Sequence, residues 1–330
     1  MIVPLYNKAK YINKALESLF SQTYGDYEII VIDDGSTDTS FQVVSQLAVS
    51  HNACRVVRQE NAGVAMARNR GVELAKGEYI CFLDADDWWE PSFLEEMENL
   101  IIECPNAGLY GTGFYIVRNG KRRIAPIGVE KGFEKGYINY CQTYARTLCM
   151  PVTSSSVAIP RGEYIASGGF KRGITLGEDF DLWIRLALKN KVALVNKPLA
   201  NYYQDIPTIE RATRRLHNPE NHMLWNLDYL AEEEMCNADL KLLMDRLRAS
   251  GLYRFYLSRK YHEVALIQLQ KIDWTHLSQD IYHLYHSPLW WQRCRFAFRS
   301  RAAQIKSLLL KDFNKRYLLY FYNKSFYFYH

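Results

Sequence analysis

The sequence predicts an α/β protein with a mostly parallel, Rossmann-like sheet flanked by helices and a helical C-terminal region. Over the first hundred residues, short β-rich runs alternate with helical periodicities, as in chains that build parallel sheets. The run from Glu28 to Ile32 is apolar after its first residue, the pattern of a strand covered on both faces. Three strand candidates end in polar or acidic residues, at Pro4-Leu5-Tyr6-Asn7, Asp33-Asp34 and Asp84-Ala85-Asp86. That is the carboxyl edge, where open α/β sheets bind ligands.

Ile2-Val3 reads as the first strand. Asn7 is placed to cap a helix whose apolar positions Ile12, Ala15, Leu16, Leu19 and Phe20 recur at helical spacing. After the strand at 28–32 a helix begins near Thr39, and a short strand follows around Arg55–Val57. Ala62 to Ala75 reads as a third helix closed by Gly77, and Glu78 to Leu83 as the next strand. Beyond Pro105 the pattern loosens into Gly- and Tyr-containing strands and loops. A helix over Phe180–Leu188 and a strand over Val192–Val195 follow. Helical runs over Asn221–Leu230, Asp239–Leu247 and Tyr261–Leu269 complete the chain.

At 330 residues, 48% hydrophobic and 23% charged, the composition excludes disordered and fibrous classes. No run approaches the ~18 apolar residues of a spanning helix. Seven scattered cysteines without a CxxC pair argue against a disulfide framework or zinc site and fit a reducing cytoplasm. Met1 is followed at once by strand-like residues, so no leader is expected and the chain begins inside its fold.

The acidic strand ends carry the chemistry. Asp84 and Asp86, separated by Ala85, offer hard oxygen ligands suited to Mg²⁺ or Mn²⁺. An aspartate in Asp33-Asp34-Gly35-Ser36 can accept an imide N–H such as uracil's, and Ser36 or Asp38 can cap the following helix. Asn61 and Gly63 precede a helix N-terminus, which favours anions, and Arg68 lies one to two turns into that helix. Glu178 and Asp179 open another helix, and a carboxylate there can take a proton from an attacking hydroxyl. Each feature also has a plain structural reading, as a solvated turn, a cap or a dipole-stabilising acid.

As an ordered set, however, these motifs resemble glycosyltransferase family 2, inverting enzymes with the GT-A fold. The resemblance covers roughly residues 1–205 and rests on Pro4-Leu5-Tyr6-Asn7, Ser21-Gln22-Thr23-Tyr24 and Asp33 to Asp38. It continues through Asn61-Ala62-Gly63, Ala67 to Gly71, Gly77 to Ile80, Asp84 to Asp87, Gly168-Gly169-Phe170 and Glu178-Asp179. It implies that Tyr6 stacks on the nucleotide base, Pro4 lines its pocket and Asp34 accepts the uracil N3–H. Asn7 and Asp33 belong to the same nucleotide-binding strand ends. Asn61 and Arg68 would help hold the nucleotide, Asp84 and Ala85 would face the ribose or donor sugar, and Asp86 would ligate Mn²⁺ or Mg²⁺. Asp179 would be the general base, with Glu178 beside it orienting the acceptor or the loop.

The implied activity is transfer of a sugar from a UDP-sugar to a hydroxyl of a glycan or lipid-linked saccharide in cell-surface polysaccharide synthesis. The alternative is a catalytically silent sugar-nucleotide-binding module or scaffold. One departure stands out: relatives often carry a metal-site histidine downstream of the base, and the matching Asn201-Tyr202-Tyr203-Gln204-Asp205 has none. Gln204, Asp205 or His217 are the candidate replacements.

The resemblance divides the chain into a catalytic domain, 1–205, and a C-terminal helical, basic and aromatic-rich region, 206–330. The net charge of +5 conceals an asymmetry. Residues 290–330 hold nine Lys or Arg against the single acid Asp312, with thirteen aromatic residues interleaved. That pattern suits an anionic membrane surface; the alternative is a helical subdomain that packs its aromatics on the catalytic domain with its basic residues facing water. A cytoplasmic enzyme, peripheral at the inner face of the membrane, is the expectation, and no nucleic acid partner is expected.

Overall fold

A computed structural model of the chain describes residues 1–205 and 217–297. It comprises two compact units, Met1–Ala231 and the residues from Glu232 onward.

The first unit opens with β1 (Ile2–Leu5), α1 (Ile12–Phe20), β2 (Ile29–Asp33), α2 (Ser40–Val49), β3 (Cys54–Arg58) and α3 (Val64–Leu74). The three strands form a parallel sheet in the order β1-β2-β3, so their carboxyl ends, Leu5, Asp33 and Arg58, share one edge. β2 is buried along its whole length, which is why it is apolar up to the acid that ends it. In α1, Ile12, Ala15, Leu16 and Leu19 lie on one stripe and are all fully buried. Each larger aliphatic side chain there contributes on the order of 1.5–3 kcal/mol. α3 packs so closely on β1 that a Cβ on Gly71 would stand 2.3 Å from Ile2 Cγ2, which accounts for a glycine inside a helix.

The unit continues with β4 (Tyr79–Cys81), β5 (Trp88–Trp89), α4 (Phe93–Glu103), β6 (Ala107–Arg118), β7 (Lys121–Ile124), β8 (Lys135–Ile138) and α5 (Tyr140–Thr147). It then runs through β9 (Val157–Pro160), α6 (Arg161–Ala166), α7 (Glu178–Lys189), β10 (Lys191–Tyr203) and α8 (Met223–Asn226). Here the sheet is mixed. β4-β9-β6-β10-β5 form its path, with β6 and β10 parallel and the other pairings along it antiparallel. A parallel bridge between Ile2 and Phe82 ties the two sheets together at β1. The loosely patterned stretch after Pro105 thus supplies four strands of this second sheet, β6 to β9.

β10 is far longer than the predicted strand, because its register shifts around Pro198 let it bend and continue along β6. The helix predicted over 221–230 is instead a 3-10 turn, the short α8 and another 3-10 turn. The His222 ring accepts the Leu224 N–H at 3.2 Å and so restarts the helix locally.

The second unit contains most of α9 (Ala231–Cys236), then α10 (Ala238–Gly251), α11 (Tyr253–Leu257), α12 (His262–Leu269) and α13 (Gln279–His286). α10 and α12 are the helices predicted at 239–247 and 261–269. Glu234 and Arg248 form a buried bidentate pair at 2.6 Å within this unit. Among the described residues no helix is long and apolar enough to cross a membrane. The basic, aromatic segment 290–330 lies outside the described residues from 298 onward; before that point Trp290 and Trp291 are exposed.

Candidate active site

Three strand ends and the start of α7 assemble the site. Asn7 follows β1 in a left-handed conformation (φ 53°). Its Oδ1 accepts the Thr37 N–H at 2.8 Å and the Asp38 N–H at 3.2 Å. The predicted capping role is therefore corrected: α1 begins only after Tyr11, and Asn7 ties the loop after β1 to the loop after β2. Pro4 is buried in β1, whereas Tyr6 stands at the edge with 46% of its surface exposed.

Asp33 and Asp34 differ sharply. Asp34 Oδ1 accepts from Gln59 Nε2 at 2.7 Å and the Ala62 N–H at 2.9 Å, and its Oδ2 accepts the Gly63 N–H at 2.8 Å. Asn61 Nδ2 donates to the Asp34 carbonyl at 3.0 Å. Asp34 thus pins the loop leading into α3, with about one of its roughly four acceptor positions left over. Asp33 is fully buried and lies 3.1 Å from Arg58 Nε, an ion pair without hydrogen-bond geometry.

Arg68 is the cross-brace. Only 3% exposed, it donates from Nη2 to Asp84 Oδ1 at 2.6 Å and from Nη1 to Glu178 Oε1 at 3.1 Å, with its guanidinium 5.1 Å from the Phe170 ring centre. The sequence placed this arginine on a helix with a phosphate in reach; the structure buries it between two carboxylates, which hold its proton all the more firmly. Residues about a hundred positions apart are thereby brought together.

Beyond β4 the chain turns through Asp84, Ala85, Asp86 and Asp87. Asp86 Oδ2 accepts from Lys8 Nζ at 2.8 Å. Burial raises the Asp86 pKa and Lys8 opposes the rise, while Asp84 adds to it. Ala85 is buried, leaving Asp84 and Asp86 half-buried on either side. Asp87 is buried and accepts from Ser155 Oγ at 2.6 Å and the Tyr203 N–H at 2.8 Å. Burial, then Asp86 and Asp84, push its carboxyl well above the ordinary range. Among the described residues no three His, Cys, Asp or Glu groups gather as a metal cage. Asp86 nevertheless already faces a cation, and carboxylate oxygens suit Mg²⁺ or Mn²⁺, whose remaining positions are commonly filled by phosphate oxygens and water.

Glu178 and Asp179 open α7 after Gly177, where acids complement the helix dipole. Asp179 Oδ1 accepts the Phe180 N–H at 2.8 Å. Burial first, then the Glu178 charge, push its pKa from 3.8 up to about 7 against the opposing pull of Arg68. The Tyr202 phenol is driven upward by burial and by the charges of Asp87, Asp84, Asp86 and Asp179, so it borders the same cluster.

Asn69 fixes the Gly168-Gly169-Phe170 turn, donating from Nδ2 to the Phe170 carbonyl at 2.8 Å and accepting the Phe170 N–H at 3.0 Å. Of the candidate replacements for the downstream histidine, Asp205 accepts the Asn119 and Gly120 amides at 2.6 and 3.1 Å. His217 Nδ1 lies 3.1 Å from Thr175 Oγ1, and the Gln204 N–H donates to the Val117 carbonyl at 2.8 Å. Lys8, Asp87 and Asn69 were not singled out from the sequence. Asp87 and Asn69 lay inside quoted motifs, but only the fold reveals their partners.

A family model described as Glycosyl transferase family 2 matches residues 1–153. The amylovoran biosynthesis glycosyltransferase AmsB of Erwinia amylovora is 30% identical over 215 residues, covering 62% of this chain and 68% of that protein. A putative glycosyltransferase, EpsH of Bacillus subtilis, is 44% identical over 97 residues, 29% of this chain but only 28% of its own length. The crystal structure of S. aureus TarS 1–349 in complex with UDP-GlcNAc has a TM-score of 0.69 at 20% identity, covering 88% of this chain and 87% of that one. The fold is that of the GT-A glycosyltransferases. The chain belongs to glycosyltransferase family 2.

Proposed function

We propose that the chain is an inverting glycosyltransferase moving a sugar from a UDP-sugar to a hydroxyl of a glycan or lipid-linked saccharide, with Asp179 as general base. The observation that carries this reading is the Arg68 bridge, which sets the Asp84-Ala85-Asp86 turn beside Glu178 and Asp179. Donor-facing and proton-accepting carboxylates then share one site. The polysaccharide role of AmsB supports a surface glycan as product, and the UDP-GlcNAc bound by TarS supports a UDP-sugar donor. The basic, aromatic 290–330 segment suits a cytoplasmic enzyme working at the inner face of an anionic membrane.

In this reading Tyr6 offers its exposed ring to the base, Pro4 backs it, and Asp34 spends its remaining acceptor position on the imide N–H. Asn7, Asp33 and Asn61 hold the loops that shape this nucleotide pocket. Asp86, with Asp84 alongside, would hold Mn²⁺ or Mg²⁺, which supplies positive charge to the leaving diphosphate when bound. Asp179 takes the proton of the acceptor hydroxyl as its oxygen forms a bond to the anomeric carbon. The bond to the diphosphate breaks on the opposite face, so configuration inverts in one displacement. A base with a pKa near 7 is well matched to that transfer at neutral pH. Glu178, held by Arg68, orients the acceptor side of the site.

A thermal-shift panel of UDP-, GDP- and dTDP-sugars with Mn²⁺ tests the donor class. UDP-sugars are expected to raise the melting temperature, and stabilisation by GDP- or dTDP-sugars alone would overturn the assignment.

A further inference from the structure

The cation that faces Asp86 belongs to the chain itself. Lys8 lies two residues beyond Tyr6 in the loop after β1, and its main chain is fixed on both sides. Its N–H donates to Ser40 Oγ at 2.9 Å, and its carbonyl accepts the Tyr11 and Ile12 N–H groups at 2.9 and 3.1 Å. From that anchored position Nζ reaches Asp86 Oδ2 at 2.8 Å and lies 5.5 Å from the centre of the Tyr11 ring. The Lys8 side chain keeps 20% of its surface exposed, so it is not locked in the interior.

Two acids that could add to a divalent-ion shell beside Asp84 and Asp86 are engaged elsewhere. Asp205 spends both oxygens on the turn between β6 and β7, and Asp87 accepts from Ser155 and Tyr203. Asp86 therefore meets an ammonium where a metal-dependent site would want an empty coordination face.

We propose that Lys8 is a diphosphate-binding cation that competes with the divalent ion for Asp86. Resting on Asp86, it neutralises the acidic turn. Turned toward the donor, it donates hydrogen bonds to the diphosphate oxygens, so that nucleotide binds without metal. This rests on the nucleotide-sugar reading of the site. A nucleotide stacked on Tyr6 with its diphosphate directed at Asp86 passes the Lys8 ammonium, and a flexible lysine suits a charge that must move between two anions.

The test pairs calorimetric titration of UDP, in EDTA and in Mn²⁺, with titration of Mn²⁺ alone followed by electron paramagnetic resonance. Wild type, Lys8→Met and Lys8→Arg are compared after matched melting curves. Wild type is expected to bind UDP in EDTA. Lys8→Met should lose about tenfold or more of that affinity, the size of one charge-assisted hydrogen bond, while Lys8→Arg retains most of it. Without nucleotide, Lys8→Met should bind Mn²⁺ several-fold more tightly, because Asp86 is released.

UDP binding by wild type only in Mn²⁺ would overturn the role of Lys8 and leave the donor reading standing. So would unchanged UDP and Mn²⁺ affinities in Lys8→Met. Failure of wild type to bind UDP under either condition would overturn the donor reading and this proposal with it.

Discussion

Replacing Asp179 by Asn removes the proposed base and a charge that the fold accommodates poorly. The carboxyl has a pKa of 3.8 in its ordinary state and about 7 in the folded chain. Below about pH 4 both folded and unfolded forms carry the proton, so the group is neutral in both and contributes no penalty. Between about pH 4 and 7 the folded chain keeps a proton that the unfolded chain has released, so stability falls as pH rises through this window. Above about pH 7 both are ionised and the full cost of the buried charge remains. At 1.36 kcal/mol per pKa unit that cost is on the order of 4 kcal/mol at most. Partial solvent access to the half-buried group brings the expected gain on removing it to about 1–3 kcal/mol.

Asp179→Asn should therefore melt roughly 2–10 °C above wild type at pH 8 and show little difference at pH 4. Sugar transfer should be lost by about 10²-fold or more, the scale of general base catalysis. The assay is a pair of melting series across this pH range together with a transfer-rate profile, in which the wild-type rate climbs through pH ~7. A variant that melts no higher than wild type at pH 8, or a wild-type rate independent of pH around neutrality, would refute the reasoning.

Arg68→Met leaves Asp84 and Glu178 facing each other without their shared counter-charge. A destabilisation of about 3–5 kcal/mol is expected in urea unfolding, with lost transfer activity; unfolding within ~1 kcal/mol of wild type would show that the brace is dispensable. Tyr6→Ala removes an exposed ring that packs against little of the protein. UDP affinity should fall by about 1–3 kcal/mol by calorimetry while the melting temperature without ligand barely moves; unchanged affinity would remove Tyr6 from the nucleotide pocket.

How far the sequence could be read depended on whether a signal was periodic or conformational. Ile12, Ala15, Leu16 and Leu19 announce α1 because burial repeats with the helix turn, and the apolar run 29–32 announces a strand covered on both sides. The acidic residues ending β2 and β4 were visible for the same reason, as breaks in apolar runs. Asn7 misled because its preference for caps and for left-handed turns is the same chemistry, and only the neighbouring loop decides which applies. The second sheet was hard to see since β6 and β10 pair across about eighty residues, a contact that leaves no local mark. Lys8 carries no pattern at all, and its meaning appears only when Asp86 is brought 2.8 Å away.

The charge balance of the site links these features. Asp84, Asp86, Asp87, Glu178 and Asp179 converge, with Lys8 and Arg68 as the cations paired to them. Burial first, and the neighbouring acids after it, lift Asp86, Asp87 and Asp179 above the ordinary carboxylate range. A nucleoside diphosphate brought alone into such a site would meet net repulsion, so it must arrive with, or find, a mobile positive charge. Arg68 cannot supply that charge, because burial and two carboxylates hold it in place. A divalent ion can, and so can Lys8 once it leaves Asp86. The excess of acid adds to the rise that burial gives the proton affinity of Asp179. In the proposed reading, a divalent ion at the acidic turn would lower the pKa of the base and shift the rate profile toward lower pH. The divalent ion and Lys8 would then act on both halves of the proposed reaction, the leaving diphosphate directly and the proton acceptor through the field they share.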